Sequence, residues 1–127
     1  MNNKLIIDAA KKEIFFMIIK NDNKYIITYE NNKNNYEKLA ILINDFLKSH
    51  NLQFNSISQI YVNRGPGSFA GIRNSLSVVK ALHLANKTDY FCFSFTDFSA
   101  ENVIKYENIP NLCKKFNVKK NLINPIY

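Results

Sequence analysis

RGPGSFAGIR, residues 64–73, holds all three glycines and both arginines of the 127-residue chain. Glycine permits positive φ and close approach of another backbone, and proline restricts φ to about −65°, so Gly65-Pro66-Gly67 predicts a rigid turn. An apolar run from Ile57 to Val62 precedes the stretch, and a long helical pattern follows it. The stretch is therefore predicted to connect a buried strand to a helix, whose free N–H groups can face an anion or a partner.

Upstream of this stretch, the pattern predicts three strands and one helix. Leu5-Ile6-Ile7 followed by Asp8, Ile14 to Ile19, and Tyr25 to Tyr29 are apolar runs separated by Asn, Asp and Lys turns, which favours a three-stranded antiparallel meander. A capping box formed by Asn34 and Glu37 predicts a first helix from about residue 36 to residue 49. Its apolar stripe at helical spacing comprises Leu39, Leu42, Ile43, Phe46 and Leu47.

The helix after the signature stretch is apolar over more than one face. Ile72, Leu76, Val79 and His83 mark the side expected to cover the sheet. Further apolar residues lie beside that stripe, which indicates either deep burial or an interface, and we expect an interface. The residues expected at the centre of this interface are Ile41 of the first helix and Val78, Ala81, Leu82 and Ala85 of the second. Without a partner, this surface is expected to form a homodimer.

The remaining chain predicts a fifth strand and a short helix. Tyr90 to Phe95 is the strand, and Ser94 or Thr96 can cap a helix over residues 98–106. After Glu107 the sequence has no acidic residue and four lysines, so residues 107–127 are expected to be an irregular or partly helical basic tail. The predicted domains are therefore a lobe, residues 1–106, and this tail.

Composition excludes several classes of protein. With 46% hydrophobic residues and 13% aromatic residues the chain is expected to fold as one globular α/β domain. Its net charge of +7 suits RNA or an acidic partner, although scattered lysines beside many asparagines are more typical of compositional drift. Two cysteines are too few for a disulfide scaffold or a zinc site, and no apolar run is long enough to span a bilayer. We expect a cytoplasmic protein without a cofactor or a bound metal.

The signature, with the meander and Asp8 before it, resembles the TsaB family, also called YeaZ. The family signature is R-G-P-G-S-F-T-G-[VIL]-R between a strand and a helix, and this chain departs from it only at Ala70. The resemblance extends from about Lys4 to Phe98. It identifies this chain as a shortened form that lacks the family's second lobe. It implies a single ribonuclease-H-like lobe of the actin/Hsp70 superfamily, with a five-stranded mixed sheet flanked by helices.

The resemblance also implies a function. TsaB is the non-catalytic partner of the catalytic subunit TsaD, and the pair engages the ATPase TsaE to make threonylcarbamoyladenosine at position 37 of tRNA. For this chain the resemblance therefore implies a heterodimer with TsaD, tRNA that binds through the complex, and no catalytic residue. The alternative is a self-associating or tRNA-binding module without catalytic activity.

Each candidate site has an ordinary structural interpretation beside the functional one. Asp8 stands where ATP-using relatives hold a metal-bound water, so it is a vestigial nucleotide site or an aspartate that caps its own turn. The signature residues are expected either to contact the partner or to let the second helix pack closely on the sheet, with the arginines binding loop carbonyls. They are Arg64, Gly65, Pro66, Gly67, Ser68, Phe69, Gly71 and Arg73.

A hydrolase would need Ser68 as its nucleophile with His50 or His83 as its base. The chain lacks the G-x-S-x-G elbow around Ser68, and His83 lies on the apolar face of the second helix. We therefore do not expect a hydrolase.

Overall fold

The fold is built on a five-stranded mixed sheet with the strand order β3-β2-β1-β4-β5. The computed structural model describes residues 2–99 and 101–127. β1 pairs antiparallel with β2 and β2 with β3, whereas β1 with β4 and β4 with β5 are parallel. The predicted meander and five-stranded mixed sheet are confirmed. The strands are β1 Asn3–Asp8, β2 Glu13–Lys20, β3 Asn23–Glu30, β4 Ile57–Asn63 and β5 Asp89–Phe93.

Helices and short 3₁₀ turns connect and cover the strands. The helices in the described residues are α1 Lys33–Tyr36, α2 Leu39–Ser49, α3 Phe69–Asn86 and α4 Ile109–Lys115. Three 3₁₀ turns are present at Phe54–Ser56, Phe95–Phe98 and Tyr106–Asn108. The signature stretch therefore connects β4 to α3, as the sequence predicts.

The first helix differs from the prediction at its start. It is two helices, because Asn32 and not Asn34 caps α1 by accepting a hydrogen bond from the Asn35 N–H. The chain then leaves helical geometry at Lys38, with φ −126° and ψ 34°, and α2 begins at Leu39. The break lets α2 place its predicted apolar stripe on the sheet, and all five of those side chains are buried.

The predicted helix over residues 98–106 is wrong. Ser94 does form a capping box with Asp97, as its position suggests, but that box starts a single 3₁₀ turn. Residues 101–105 are irregular, and the next turn begins at Tyr106. Phe98 packs in the core, and the Tyr106 hydroxyl binds Asp8 at the end of β1. These tertiary contacts at the two ends of residues 98–106 outweigh the weak helical propensity of the segment.

Residues 107–127 form more than a loose tail. They contain α4, whose Ile109 and Cys113 are buried, and an extended stretch that returns to the signature loop. A boundary at residue 106 stays a prediction, although side chains on both sides of it share one apolar cluster.

The two faces of the sheet have different covers. One face carries Leu5 and Ile7 of β1 and packs against α2 and α3, whose buried side chains include Ile43 and Ile72. The opposite face carries Ile6 and packs against residues 95–99 and 101–118, and α4 is the α-helix within these two ranges. Alternation along β1 thus assigns one face to the central helices and one to the C-terminal region.

Candidate functional site

The signature loop begins at the end of β4, where a side chain holds the turn. The Gly65 N–H donates a hydrogen bond to Asn63 Oδ1 at 2.9 Å, and the Gly65–Pro66 peptide bond is cis. Gly65 has φ +110°, a region that side-chain-bearing residues rarely adopt. Ser68 then caps α3 by accepting a hydrogen bond from the Gly71 N–H at 3.2 Å. The loop is therefore a defined turn and a capped helix start.

The inner side of the loop packs directly on the backbone after β1. The Ser68 N–H donates to the Ala10 carbonyl at 2.8 Å. A Cβ at Gly67 would lie 2.1 Å from the Ala10 carbonyl oxygen, and one at Gly71 would lie 1.9 Å from the Ala9 carbonyl oxygen. Only glycine permits this approach. α3 thus packs closely on the turn after β1, and partner contact by the signature residues stays a prediction.

The outer side of the loop contacts residues 119–127, which we call the strap. The Ile126 N–H donates to the Arg64 carbonyl at 2.7 Å, and a Cβ at Gly65 would lie 1.9 Å from the Ile126 carbonyl oxygen. The ring of Phe69 lies 4.6 Å from that of Tyr127, centroid to centroid. The strap and the loop therefore form one surface, a contact that no pattern in the sequence indicates.

The two arginines of the signature have different surroundings. Arg64 Nη2 donates to Asp97 Oδ1 at 2.7 Å, and Nη1 donates to the Asn124 carbonyl at 3.1 Å. Its side chain is largely buried, so this ion pair links the loop to the turn after β5 and to the strap. The Arg73 side chain is exposed, with its guanidinium carbon 5.5 Å from the centroid of the Phe69 ring. Arg64 is occupied inside the fold, whereas Arg73 and Phe69 face solvent.

The Asp8 carboxylate is fully buried, and both of its oxygens are bound. The Ala10 N–H donates to Oδ1 at 3.0 Å, which is the turn-capping interaction expected of a strand-end aspartate. The Tyr106 hydroxyl donates to Oδ2 at 2.6 Å. Burial, and then the nearby Asp8, raise the pKa of Tyr106, so its hydroxyl keeps the proton that it donates.

Tyr106 also covers the mouth of this site. Its ring stacks on Phe15 at 3.9 Å, and Lys11 Nζ lies 3.2 Å from the Tyr106 hydroxyl. A nucleotide or a hydrated metal at Asp8 would have to displace this tyrosine. The sequence analysis missed Tyr106, since it lies 98 positions from Asp8 and belongs to no motif.

The residues predicted for the helix interface divide into two groups. Ile41 is 60% exposed, and Ala81 and Ala85 are exposed on α3. Val78 and Leu82 are half-buried and pack against the core under α3. The sequence analysis omitted Leu84, which is 71% exposed beside the two alanines. A partner therefore has access to Ile41, Ala81, Leu84 and Ala85, which we call the helix patch.

The residues considered for a hydrolase are engaged in structural contacts. His83 Nδ1 lies 2.9 Å from the Thr88 carbonyl, the His50 ring stacks on Tyr25 at 4.1 Å, and the Ser68 hydroxyl caps α3. Both cysteines are buried free thiols, and burial raises the pKa of Cys92 and of Cys113 to about 12. They are poor nucleophiles at neutral pH.

The described residues, 2–99 and 101–127, contain no group of three or more His, Cys, Asp or Glu side chains placed to hold a metal ion. No helix among them is long and apolar enough to cross a membrane.

Comparisons with known proteins show which sequences this chain resembles. Residues 5–117 match the family model described as TsaD, tRNA N6-adenosine threonylcarbamoyltransferase. The chain is 30% identical over 80 residues to the tRNA threonylcarbamoyladenosine biosynthesis protein TsaB of Buchnera aphidicola subsp. Baizongia pistaciae, a match that covers 63% of this chain and 36% of that protein.

Solved structures show the same fold. YeaZ from Pseudomonas aeruginosa superposes with a TM-score of 0.68 at 20% identity, over 74% of this chain and 44% of that one. Thermus thermophilus RuvC, in complex with Holliday junction substrate, gives 0.54 at 5% identity over 99% of this chain and 84% of that one. The ribonuclease-H-like lobe is thereby confirmed. This chain spans less than half the length of the TsaB and YeaZ proteins that it matches.

Proposed function

This chain belongs to the TsaB/YeaZ family, within the group that the TsaD family model describes, and we propose that it is a non-catalytic subunit that supports TsaD. The reaction supported is threonylcarbamoylation of adenosine 37 of tRNA in the cytoplasm, with TsaE as the associated ATPase. In this proposal tRNA binds through the complex.

The state of Asp8 carries the non-catalytic part of the proposal. A carboxylate that supports nucleotide chemistry needs an oxygen that a metal-bound water can reach. Here one oxygen accepts from the Ala10 N–H and the other from the Tyr106 hydroxyl, and the side chain is 0% exposed. This carboxylate binds its own turn and Tyr106 of the C-terminal region, which supports the proposal that Asp8 is a vestigial nucleotide site.

The signature loop supports the binding part of the proposal. Its glycines hold α3 against the residues after β1, which presents the outward face of that helix as a rigid surface. The helix patch lies on this face and on α2, and its alanines allow another helix to approach closely. We propose that TsaD contacts the helix patch and that Val78 and Leu82 act from beneath by supporting it.

The test uses TsaD from the same organism, co-expressed with this chain. Ala81→Glu adds a charge to the middle of the helix patch, and we expect the amount of TsaD that co-purifies to fall at least tenfold, because burying an unpaired carboxylate is costly. Thr28→Glu on the exposed edge strand β3 is the matched control. Leu82→Glu is less informative, since Leu82 also packs in the core.

Activity is measured with TsaD, TsaE and unmodified tRNA, with and without this chain. We expect no modified tRNA from this chain alone and stimulation when it joins TsaD. Modification by this chain alone, or equal retention of TsaD by Ala81→Glu, would refute the proposal. Binding of tRNA by the isolated chain that disappears between low and moderate salt would instead support the RNA-binding alternative.

A further inference from the structure

The strap contacts the free edge of β5 at one isolated antiparallel bridge. Phe91 forms an antiparallel bridge with Lys120, and the Asn121 N–H donates to the Tyr90 carbonyl at 2.8 Å. The Asn121 side chain accepts from the Tyr90 N–H at 2.9 Å and donates to Asp89 at 3.0 Å. On the sheet the strap thus binds the backbone N–H and C=O of Tyr90, as in strand addition between chains, although two of the three hydrogen bonds use the Asn121 side chain.

The strap then runs past α3 towards the signature loop. A cavity of about 640 Å³, which we call the loop groove, stays open between Leu122, Ile123 and Pro125 of the strap and Arg73, Leu76 and Tyr90 of the body. At its far end the strap closes on Arg64 and Gly65 through Asn124 and Ile126. The body therefore presents a continuous docking site for one extended segment, and the segment that fits it is the strap.

The strap is held by few buried atoms. Every side chain from residue 119 to residue 127 is half-buried or exposed, and Tyr127 is 58% exposed. Such segments belong to the part of a fold that opens most readily. When the strap leaves, the edge of β5 and the space beside Gly65 are uncovered together, so the same segment from another chain regains every contact that was lost.

The connection before the strap is a single tight turn. After α4 the chain turns back within residues 116–118, where the Val118 N–H donates to the Cys113 carbonyl at 2.9 Å. Asn117 occupies the left-handed region with φ 56°. A short turn that depends on one left-handed residue is the type of hinge that an extended alternative relieves.

From these observations we infer that the β5 edge and the loop groove are a self-recognition site, through which two copies of this chain exchange straps. The exchanged pair uses residues 116–118 as extended hinges and leaves the helix patch free. It is distinct from the homodimer expected through the helices, and it does not depend on the proposed function. At low concentration the intramolecular strap is favoured, because its effective concentration is high.

The experiment mixes two single variants of the full chain, Phe69→Cys and Tyr127→Cys. Both positions are exposed and their rings touch, so either change leaves the core intact. After incubation at high concentration, a short thiol-specific bifunctional crosslinker is added, and a covalent dimer is scored on a denaturing gel. Each variant alone is the control. The two native cysteines are buried in the closed chain, and each variant alone reports any crosslinking through them when the strap opens.

We expect a covalent dimer in the mixture and at most a trace of it in either variant alone. Asn117→Val disfavours the closed hinge and should raise the yield roughly tenfold, whereas Asn117→Gly should lower it. Ala81→Glu should leave the yield unchanged. No covalent dimer at any concentration, or one that Ala81→Glu abolishes, would overturn the inference.

Discussion

The inner and outer sides of the signature loop require glycine for different reasons. On the inner side, Gly67 and Gly71 face the carbonyls of Ala10 and Ala9, which lie in the turn after the central strand β1. On the outer side, Gly65 faces the carbonyl of Ile126, near the end of the strap. The inner partner cannot move without disturbing the sheet, whereas the outer partner is held by a few hydrogen bonds. An added Cβ meets a carbonyl oxygen on both sides, but we expect it to lower the free energy of unfolding more on the inner side than on the outer side.

The largest expected effect is on the inner side. Gly71→Leu places a Cβ 1.9 Å from the Ala9 carbonyl oxygen, so α3 must separate from the sheet. We expect the free energy of unfolding to fall by more than about 3 kcal/mol, a large fraction of the stability of a small domain. Urea denaturation measures the loss. Gly71→Ala gives the same conflict with a smaller side chain if the leucine variant does not fold.

Ala81→Leu is the matched control on the exposed face of the same helix, and we expect a change within about 0.5 kcal/mol. Equal stability of the Gly71 variants and this control would show that the inner contact tolerates a side chain.

The second effect tests how the inner side is supported. Tyr106→Phe removes the hydrogen bond to Asp8 Oδ2 but keeps the aromatic ring that stacks on Phe15. We expect a loss of about 1.5 to 3 kcal/mol, since the acceptor is a buried carboxylate. Tyr25→Phe, on the exposed edge strand, is the control.

The same variant should show a pH signature. The pKa of Tyr106 is raised in the folded state above its ordinary value of 10.0, so its contribution is complete below pH 10. Above that pH the unfolded tyrosine ionises first, and the stability difference between wild type and Tyr106→Phe should shrink. A difference that stays constant to higher pH would contradict this assignment.

The smallest effect concerns the outer side. Gly65→Ala meets both the strained φ of +110° and the Ile126 carbonyl, yet the strap can shift away. We expect a loss of about 1 to 2 kcal/mol, with the main cost in backbone strain. Amide hydrogen exchange at Asn121, whose N–H binds Tyr90, should become faster, because the displaced strap frays from the edge of the sheet.

Tyr127→Ala removes only the ring contact with Phe69 and serves as the reference for the strap. A loss in Gly65→Ala as large as that in Gly71→Leu would show that the strap is as rigid as the core, and the contrast between the two sides would fail.

The sequence by itself determined those features of this protein that depend only on residues close to one another along the chain. Apolar runs separated by polar turns predicted β1, β2 and β3 as a meander, and the glycines of residues 64–73 marked the strand-to-helix turn. The capping chemistry of Asp8 and Ser94 was also evident, since each side chain accepts a hydrogen bond from the N–H two residues further along.

Only the tertiary structure decided what meets these local units from a distance. The hydroxyl of Tyr106 reaches Asp8 across 98 positions, and the strap reaches Arg64 across 60. Leu82 packs against the core whereas Ala81 is exposed, and this difference depends on the rotation of α3 about its axis relative to the sheet. Hydrogen bonds and burial between remote segments depend on the path of the whole backbone, whereas turns and caps are settled within a few residues.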